Sequence, residues 1–333
     1  MRLLTPFRSP FSAPSRARRS ALIMAVLSGV LLISCGASRK AGASMANFSD
    51  AASVGSSMNY LASDALQGRD TGTEGIEKAA SFLEGRLKDF GISPYFKTYR
   101  DTLKNTKDVA YNVVGVLQGS DPRLKGEYIL IGAHYDHIGL VPPKDGDGIA
   151  NGANDNASGT STVLELARYF GGNTPPARSL IFAFFSAEEQ GLLGSKHLAR
   201  VLKDAGIDLY TVLNFEMTGV PMDKPYMMYL TGYDQSNLAE VCNAYGGEGL
   251  VGNLPKAQEY NLFQRSDNYP FYEEFGVPAH TFSTFDFENY AYYHQPGDEA
   301  SRMDLDHMAG LVNKILPAIW GIANADQRQI VLK

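Results

Sequence analysis

The apolar run from Tyr128 to Ile131, closed by Gly132, reads as an interior strand rich in β-branched and aromatic residues. It ends abruptly in His134-Tyr135-Asp136-His137. If the backbone stays extended past the strand, residues two apart point the same way, and the Asp136 carboxylate can take an imidazole N–H of His134. That arrangement would aim the other nitrogen of His134 outward, as in a metal-binding histidine. Downstream, Asn154-Asp155-Asn156-Ala157-Ser158-Gly159 leads into a helical pattern with Val163, Leu166, Ala167 and Phe170 on one face. Asp155 therefore sits at the mouth of a helix, close to the strand end that carries His134. Turn and N-cap chemistry uses the same residue types, so this stretch needs the remainder of the chain to decide it.

The first 34 residues read as an address rather than as structure. Arg16, Arg18 and Arg19 precede an apolar segment, Ala21 to Ile33, that is too short for a spanning helix and ends in Leu32-Ile33-Ser34-Cys35. This resembles a bacterial lipoprotein signal. The resemblance implies lipidation at Cys35, membrane attachment through that lipid, and a place in the cell envelope, on the outer membrane because Gly36 carries no retention signal. Removing a leader with five arginines and no acids takes 30 basic against 36 acidic side chains to 25 against 36, a net charge of −11. Nucleic acid is then not an expected partner. Cys242 is the only other cysteine, so the mature fold is expected to hold without disulfides.

Residues 35–47 are small and polar, a tether, and a single domain is expected over 48–333. Helices are expected over Ala51 to Leu61 and over Ile76 to Phe90, the second ended by Gly91. From Val109 strand and helix signals alternate. Strands are expected at Tyr111 to Leu117, Tyr128 to Gly132, Ser179 to Phe185, Leu209 to Phe215, Tyr226 to Leu230 and Ala279 to Ser283. Helices are expected near Ser158 to Phe170, Leu192 to Lys203, Ser236 to Tyr245, Asn268 to Phe275 and Leu305 to Ala323. That rhythm predicts an α/β fold with a mostly parallel sheet covered on both faces.

In such sheets chemistry gathers at the carboxyl ends of the strands. Three successive strands here end in ionisable groups: His134 after the first, Glu188-Glu189 after the second and Glu216 after the third. A loop before the last helix adds His294 and, four places on, Asp298. His197, His280 and His307 fall inside helix or strand patterns and read as structural or surface residues, and Phe182, Phe184 and Phe185 read as core.

These pieces, in this order, resemble metallopeptidase family 28, whose members include co-catalytic zinc aminopeptidases. The matching motifs are His-Tyr-Asp-His, Gly-Ala-Asn-Asp-Asn-Ala-Ser-Gly, Ala-Glu-Glu-Gln-Gly, Ser266-Asp267-Asn268-Tyr269-Pro270-Phe271, and His294 with Asp298. The resemblance implies a three-layer α/β/α sandwich with a mixed central sheet and two zinc ions. His134 and Glu216 would hold one zinc and Glu189 with His294 the other. Asp155 would bridge them, Glu188 would be the general base, and Asp136 and Asp298 would orient the ligands. The expected reaction is removal of N-terminal residues from peptides with a free α-amine.

Two positions depart from the family pattern. Glu216 stands where aspartate is usual, and its extra methylene changes the reach to the metal; Asn268 stands where histidine is common and reads as structural. His137 competes with His134 but lacks the family match. Tyr290, Tyr292 and Tyr293 beside His294 could offer a phenol to a developing oxyanion or simply pack. The rival enzyme is a glutaminyl-peptide cyclotransferase on the same fold, whose motif carries tryptophan where Tyr293 stands. A serine hydrolase lacks its Gly-x-Ser-x-Gly here, none of the six histidines begins His-Glu-x-x-His, and a metal-free receptor would not need the full ligand set.

Overall fold

The structure, a computed structural model, describes residues 45–333. The leader, Cys35 and most of the tether lie outside the described residues. The tether's last three residues, Met45–Asn47, form one 3-10 turn, and Met45 packs against the core just before Phe48.

Strands in chain order are β1 (Ser93–Pro94), β2 (Arg100–Thr102), β3 (Tyr111–Leu117), β4 (Glu127–His134), β5 (Gly139–Lys144), β6 (Asp147–Ala150), β7 (Ser179–Phe185), β8 (Asp208–Glu216), β9 (Met228–Leu230), β10 (Val251–Gly252) and β11 (Ala279–Ser283). Helices are α1 (Ala51–Leu61), α2 (Glu74–Asp89), α3 (Gly159–Gly171), α4 (Leu193–Asp204), α5 (Leu238–Gly246), α6 (Pro255–Glu259), α7 (Asn268–Phe275) and α8 (Leu305–Asn324). The main sheet runs β1-β3-β7-β4-β8-β11-β9-β10, with β2 also on β3. Its centre, β7-β4-β8-β11, is parallel, while β3 joins β7 and β9 joins β11 antiparallel. The sheet is therefore mixed and mostly parallel at its centre, as expected.

Period-two alternation explains why both faces are covered. Ile129, Ile131, Leu180, Phe182 and Phe184 face one apolar layer, while Leu130, Ile181, Ala183 and Phe185 face the other. The first layer is closed by α1, α2, α3, α5 and α8, the second by α4 and α7. In α8 the buried stripe Met308, Leu311, Val312, Ile315, Ile319 and Ile322 has the spacing of one helix face. Caps mark where helices begin: Asp50 accepts the Ser53 N–H at 2.7 Å ahead of α1, and Asp304 accepts the His307 N–H at 2.8 Å ahead of α8.

The hairpin of β5 and β6 lies where no strand was expected. Its two-residue turn, Asp145-Gly146, takes positive φ at both positions, 53° and 89°, and Asp-Gly is the sequence signal for that turn. No helix among the described residues is long and apolar enough to cross a membrane.

Candidate metal centre

The carboxyl ends of β4, β7 and β8 bring the site together. His134 is the last residue of β4 rather than a residue beyond it, Glu188 and Glu189 follow β7, and Glu216 is the last residue of β8. Asp155 lies in the turn between β6 and α3 and is 3% exposed. Its Oδ1 is 3.3 Å from His134 Nε2, and its Oδ2 is 3.1 Å from His294 Nε2. His294 Nε2 also lies 3.2 Å from Glu189 Oε2. One carboxylate thus faces two separate imidazoles with its two oxygens.

Neither His134 Nε2 nor His294 Nε2 makes a hydrogen bond, although both are buried. At 3.1–3.3 Å from carboxylate oxygens, without hydrogen-bond alignment, these nitrogens and oxygens converge on shared points instead of on one another. Ligands held 2.0–2.2 Å from a tetrahedral zinc lie about 3.4 Å apart, so the spacings fit a metal's coordination edges. His137, Asp155, Glu189 and His294 offer possible ligand atoms that all lie within 4.8 Å of one another.

Glu216 reaches the same region and is held there. Ser266 donates to its Oε2, and the Ser266 oxygen in turn accepts from Asn214 Nδ2 at 2.9 Å. Thr281, which accepts from Asn214 at 3.0 Å, donates to Asn268 Oδ1 at 2.8 Å. Asn268 is therefore part of the buried polar chain beneath Glu216. The longer carboxylate and the asparagine, two separate departures from the family pattern, meet in one network.

The supporting carboxylates act through the backbone. Sequence reasoning paired the Asp136 carboxylate with the His134 imidazole; instead the main-chain oxygen of Asp136 is the nearer partner, 3.3 Å from Nδ1, with the carboxylate at 3.7 Å. The Asp136 carboxylate accepts the N–H groups of Glu188 and Glu189 at 3.2 and 3.3 Å, so it positions the turn after β7. Asp298 accepts the N–H groups of Asn154 and Asp155 at 2.8 and 3.1 Å and the Tyr290 hydroxyl at 2.6 Å. Tyr290 is thereby engaged away from substrate, and Tyr292 packs under the Arg302 guanidinium. Tyr293 stacks on the His294 ring, centroids 3.9 Å apart.

Electrostatics mark a pocket crowded with carboxylates that draw positive charge. Burial opposes charge on His294, yet Asp155 and Glu189 push it up to about 10. Burial would raise Asp155, but the facing imidazoles of His134 and His294 hold it far below the usual carboxylate range. Bound cations answer the same demand more fully than protons do. Glu188 differs from its neighbour: burial, with Glu216, Asp267 and Glu189 nearby, raises it well above an ordinary carboxylate, while its side chain makes no hydrogen bond among the described residues. Burial also pushes Asp267 up to about 7.

Backbone strain concentrates here. Ala187, Met217 and His294 take φ of 56°, 50° and 57°, one before Glu188, one after Glu216 and one a donor itself. Arg69, 1% exposed, was invisible as a site element in sequence; it donates to the carbonyls of Tyr135 at 2.8 Å, Asn151 at 2.7 Å and Gly152 at 2.9 Å, and to that of Leu61. One guanidinium thus binds the loop after β4 to the loop before Asp155.

The sequence profile of peptidase family M28 matches residues 112–318, which contain His134, Asp155, Glu188, Glu189, Glu216 and His294 but not Arg69. The chain belongs to peptidase family M28. Among relatives, aminopeptidase YwaD of Bacillus subtilis is 26% identical over 234 residues, 68% of this chain and 48% of the relative. Leupeptin-inactivating enzyme 1 of Streptomyces exfoliatus is 30% identical over 229 residues, 67% of this chain and 46% of that protein. The chain thus spans about half the length of these M28 relatives. The LapA aminopeptidase of Legionella pneumophila superposes with a TM-score of 0.64 at 22% identity, covering 83% of this chain and 73% of that one. Porphyromonas gingivalis glutaminyl cyclase does so at 0.63 and 18%, covering 82% and 99%. These likenesses show that the M28 chain has the α/β fold shared by those proteins.

One histidine that the sequence left outside the ligand set lies against a carboxylate of the site. His137 is fully buried, its Nδ1 2.9 Å from Glu189 Oε1. Its place directly after Asp136 was the available signal, but the turn that aims it at Glu189 is tertiary.

Proposed function

We propose that this chain is a zinc-dependent aminopeptidase that uses two zinc ions. The observation that carries the reading is Asp155, with Oδ1 toward His134 and Oδ2 toward His294. His134, Glu216 and Asp155 Oδ1 would hold one ion; His294, Glu189 and Asp155 Oδ2 would hold the other. When bound, zinc would polarise the scissile carbonyl and make a water easier to deprotonate.

The chain's own groups supply the rest. Glu188 has no hydrogen-bond partner to release, and burial raises its proton affinity, so its carboxylate accepts the proton of the attacking water and returns it to the leaving amine. A cavity of about 80 Å³ opens beside Glu216, with Met217, Leu262, Phe285, Phe287 and Tyr293 among its walls. It would take an apolar N-terminal side chain, while the acidic donors attract the free α-amine.

The test is a zinc count on purified protein together with hydrolysis of a set of aminoacyl amides and of a peptide starting with glutamine. Two zinc per chain with release of apolar N-terminal residues is expected. Cyclisation of the glutaminyl peptide without amide hydrolysis would instead assign the cyclotransferase reaction. We also propose envelope location through lipid on Cys35; unchanged membrane attachment of Cys35→Ala would refute it.

A further inference from the structure

We propose that His137 is a positioning residue which holds Glu189 to one metal-facing oxygen. The inference rests on the two-zinc reading of the site. His137 Nδ1 lies 2.9 Å from Glu189 Oε1 with hydrogen-bond alignment, at the usual N–H···O distance. Glu189 Oε2 instead faces His294 Nε2 at 3.2 Å without such alignment, nearer to the spacing of two ligands on one zinc. His137 Nδ1 is 3.8 Å from Asp155 Oδ2, too far for a hydrogen bond. The two oxygens of Glu189 therefore have different tasks: Oε1 accepts the N–H of His137, and Oε2 is left to the metal.

The ring is fixed for this purpose. His137 is 0% exposed, its backbone N–H donates to the Arg69 carbonyl at 3.3 Å, and its ring rests on Gly152. A Cβ on Gly152 would lie 2.5 Å from that ring and 2.4 Å from the Asp155 carbonyl, and φ there is +58°, so only glycine fits. An ionised carboxylate only accepts, which places the proton on Nδ1. With Oε1 held by His137, Glu189 presents Oε2 toward His294 and the site. His294, Asp155 and Glu189 would then hold the ion between them, leaving room for water or substrate, whereas His137 acting as a fourth protein ligand would take that room.

The test compares zinc affinity of metal-free wild-type protein, His137→Ala and His137→Asn by chelator competition, with circular dichroism to show that each is folded. Asparagine places an N–H near the position of Nδ1. His137→Ala should weaken one of the two zinc sites about 10- to 100-fold and leave the other unchanged, and His137→Asn should restore most of that loss. In cobalt-substituted wild-type protein, proton NMR should show two shifted imidazole N–H signals, from His134 and His294. A third such signal makes His137 a ligand and overturns the proposal, as does an unchanged affinity in His137→Ala or an asparagine variant no better than alanine. A wild-type protein that takes up no second zinc would sink the two-zinc reading itself, a failure distinguishable because it precedes any comparison of variants.

Discussion

Glu188 and Glu189 are neighbours in the chain with opposite surroundings. Glu189 lies against two imidazoles, and although burial raises it, His137 and His294 bring it below its ordinary value; Glu188 accepts no hydrogen bond from an imidazole, and burial raises it against the pull of His134. Glu188→Gln should therefore keep both zinc ions while kcat falls by a factor of about 10² to 10⁴, because an amide cannot take the proton. Glu189→Gln should lose zinc from one site and recover part of its activity in excess zinc. Zinc content and kcat across a zinc titration separate the two, and the reverse pattern would exchange their roles. Arg69 sets a second expectation at this scale. Burial lowers it to about 10 against the pull of Asp298, Asp136 and Asp155, and its hydrogen bonds go to four carbonyls. Arg69→Met would orphan those carbonyls, costing about 3 kcal/mol or more in urea unfolding. A loss within experimental error would show that water replaces the guanidinium.

At the scale of elements, β11 carries a titrating group with no part in the metal centre. His280 is fully buried between the Ser236 hydroxyl at 2.7 Å from Nε2 and the Thr231 carbonyl at 2.8 Å from Nδ1. Burial lowers it to about 4. An unfolded histidine titrates near 6.5, so between these values the unfolded chain binds the extra proton and stability rises with pH. The neutral ring's contribution is full above about pH 6.5 and is lost as pH falls to about 4, with about 2 kcal/mol gone between pH 7 and pH 5. Urea unfolding of metal-free wild-type protein and His280→Asn at those two pH values should show the wild type losing that much more. Equal losses would mean that the ring already carries a proton in the folded state.

For the whole molecule, the metal centre joins parts of the chain that are otherwise far apart. Side chains from β4, the turn before α3, the turn after β7 and the loop before α8 meet there, so a metal held by them would bind only the folded chain. Zinc at 100 times its dissociation constant adds about 2.7 kcal/mol per site. Chelation should accordingly lower Tm by roughly 5–10 °C, and restoring zinc should return it. A Tm indifferent to chelator would mean that the site takes no metal in solution.

Most of the fold was legible in the residue pattern because its determinants are local. The strand from Ser179 to Phe185, apolar from Leu180 on, ends where the next polar residue, Ser186, follows, and Asn268 to Phe275 is a helix stopped by Gly276. The clustering of ionisable groups at the strand ends was legible too, since carboxylates and histidine directly after core strands are costly without a partner. Local pattern does not show what separate loops do to one another. The pairing of β1 and β2 with β3, the aim of His137, the reach of Arg69 across two loops and the chain from Asn268 to Glu216 each join residues distant in sequence. The sequence by itself determined which groups stand at the strand ends, because period-two burial leaves only the ends free for chemistry. Tertiary structure alone decided which oxygen of each carboxylate points into the site and which is held by a neighbour, because that depends on angles between loops packed over the sheet.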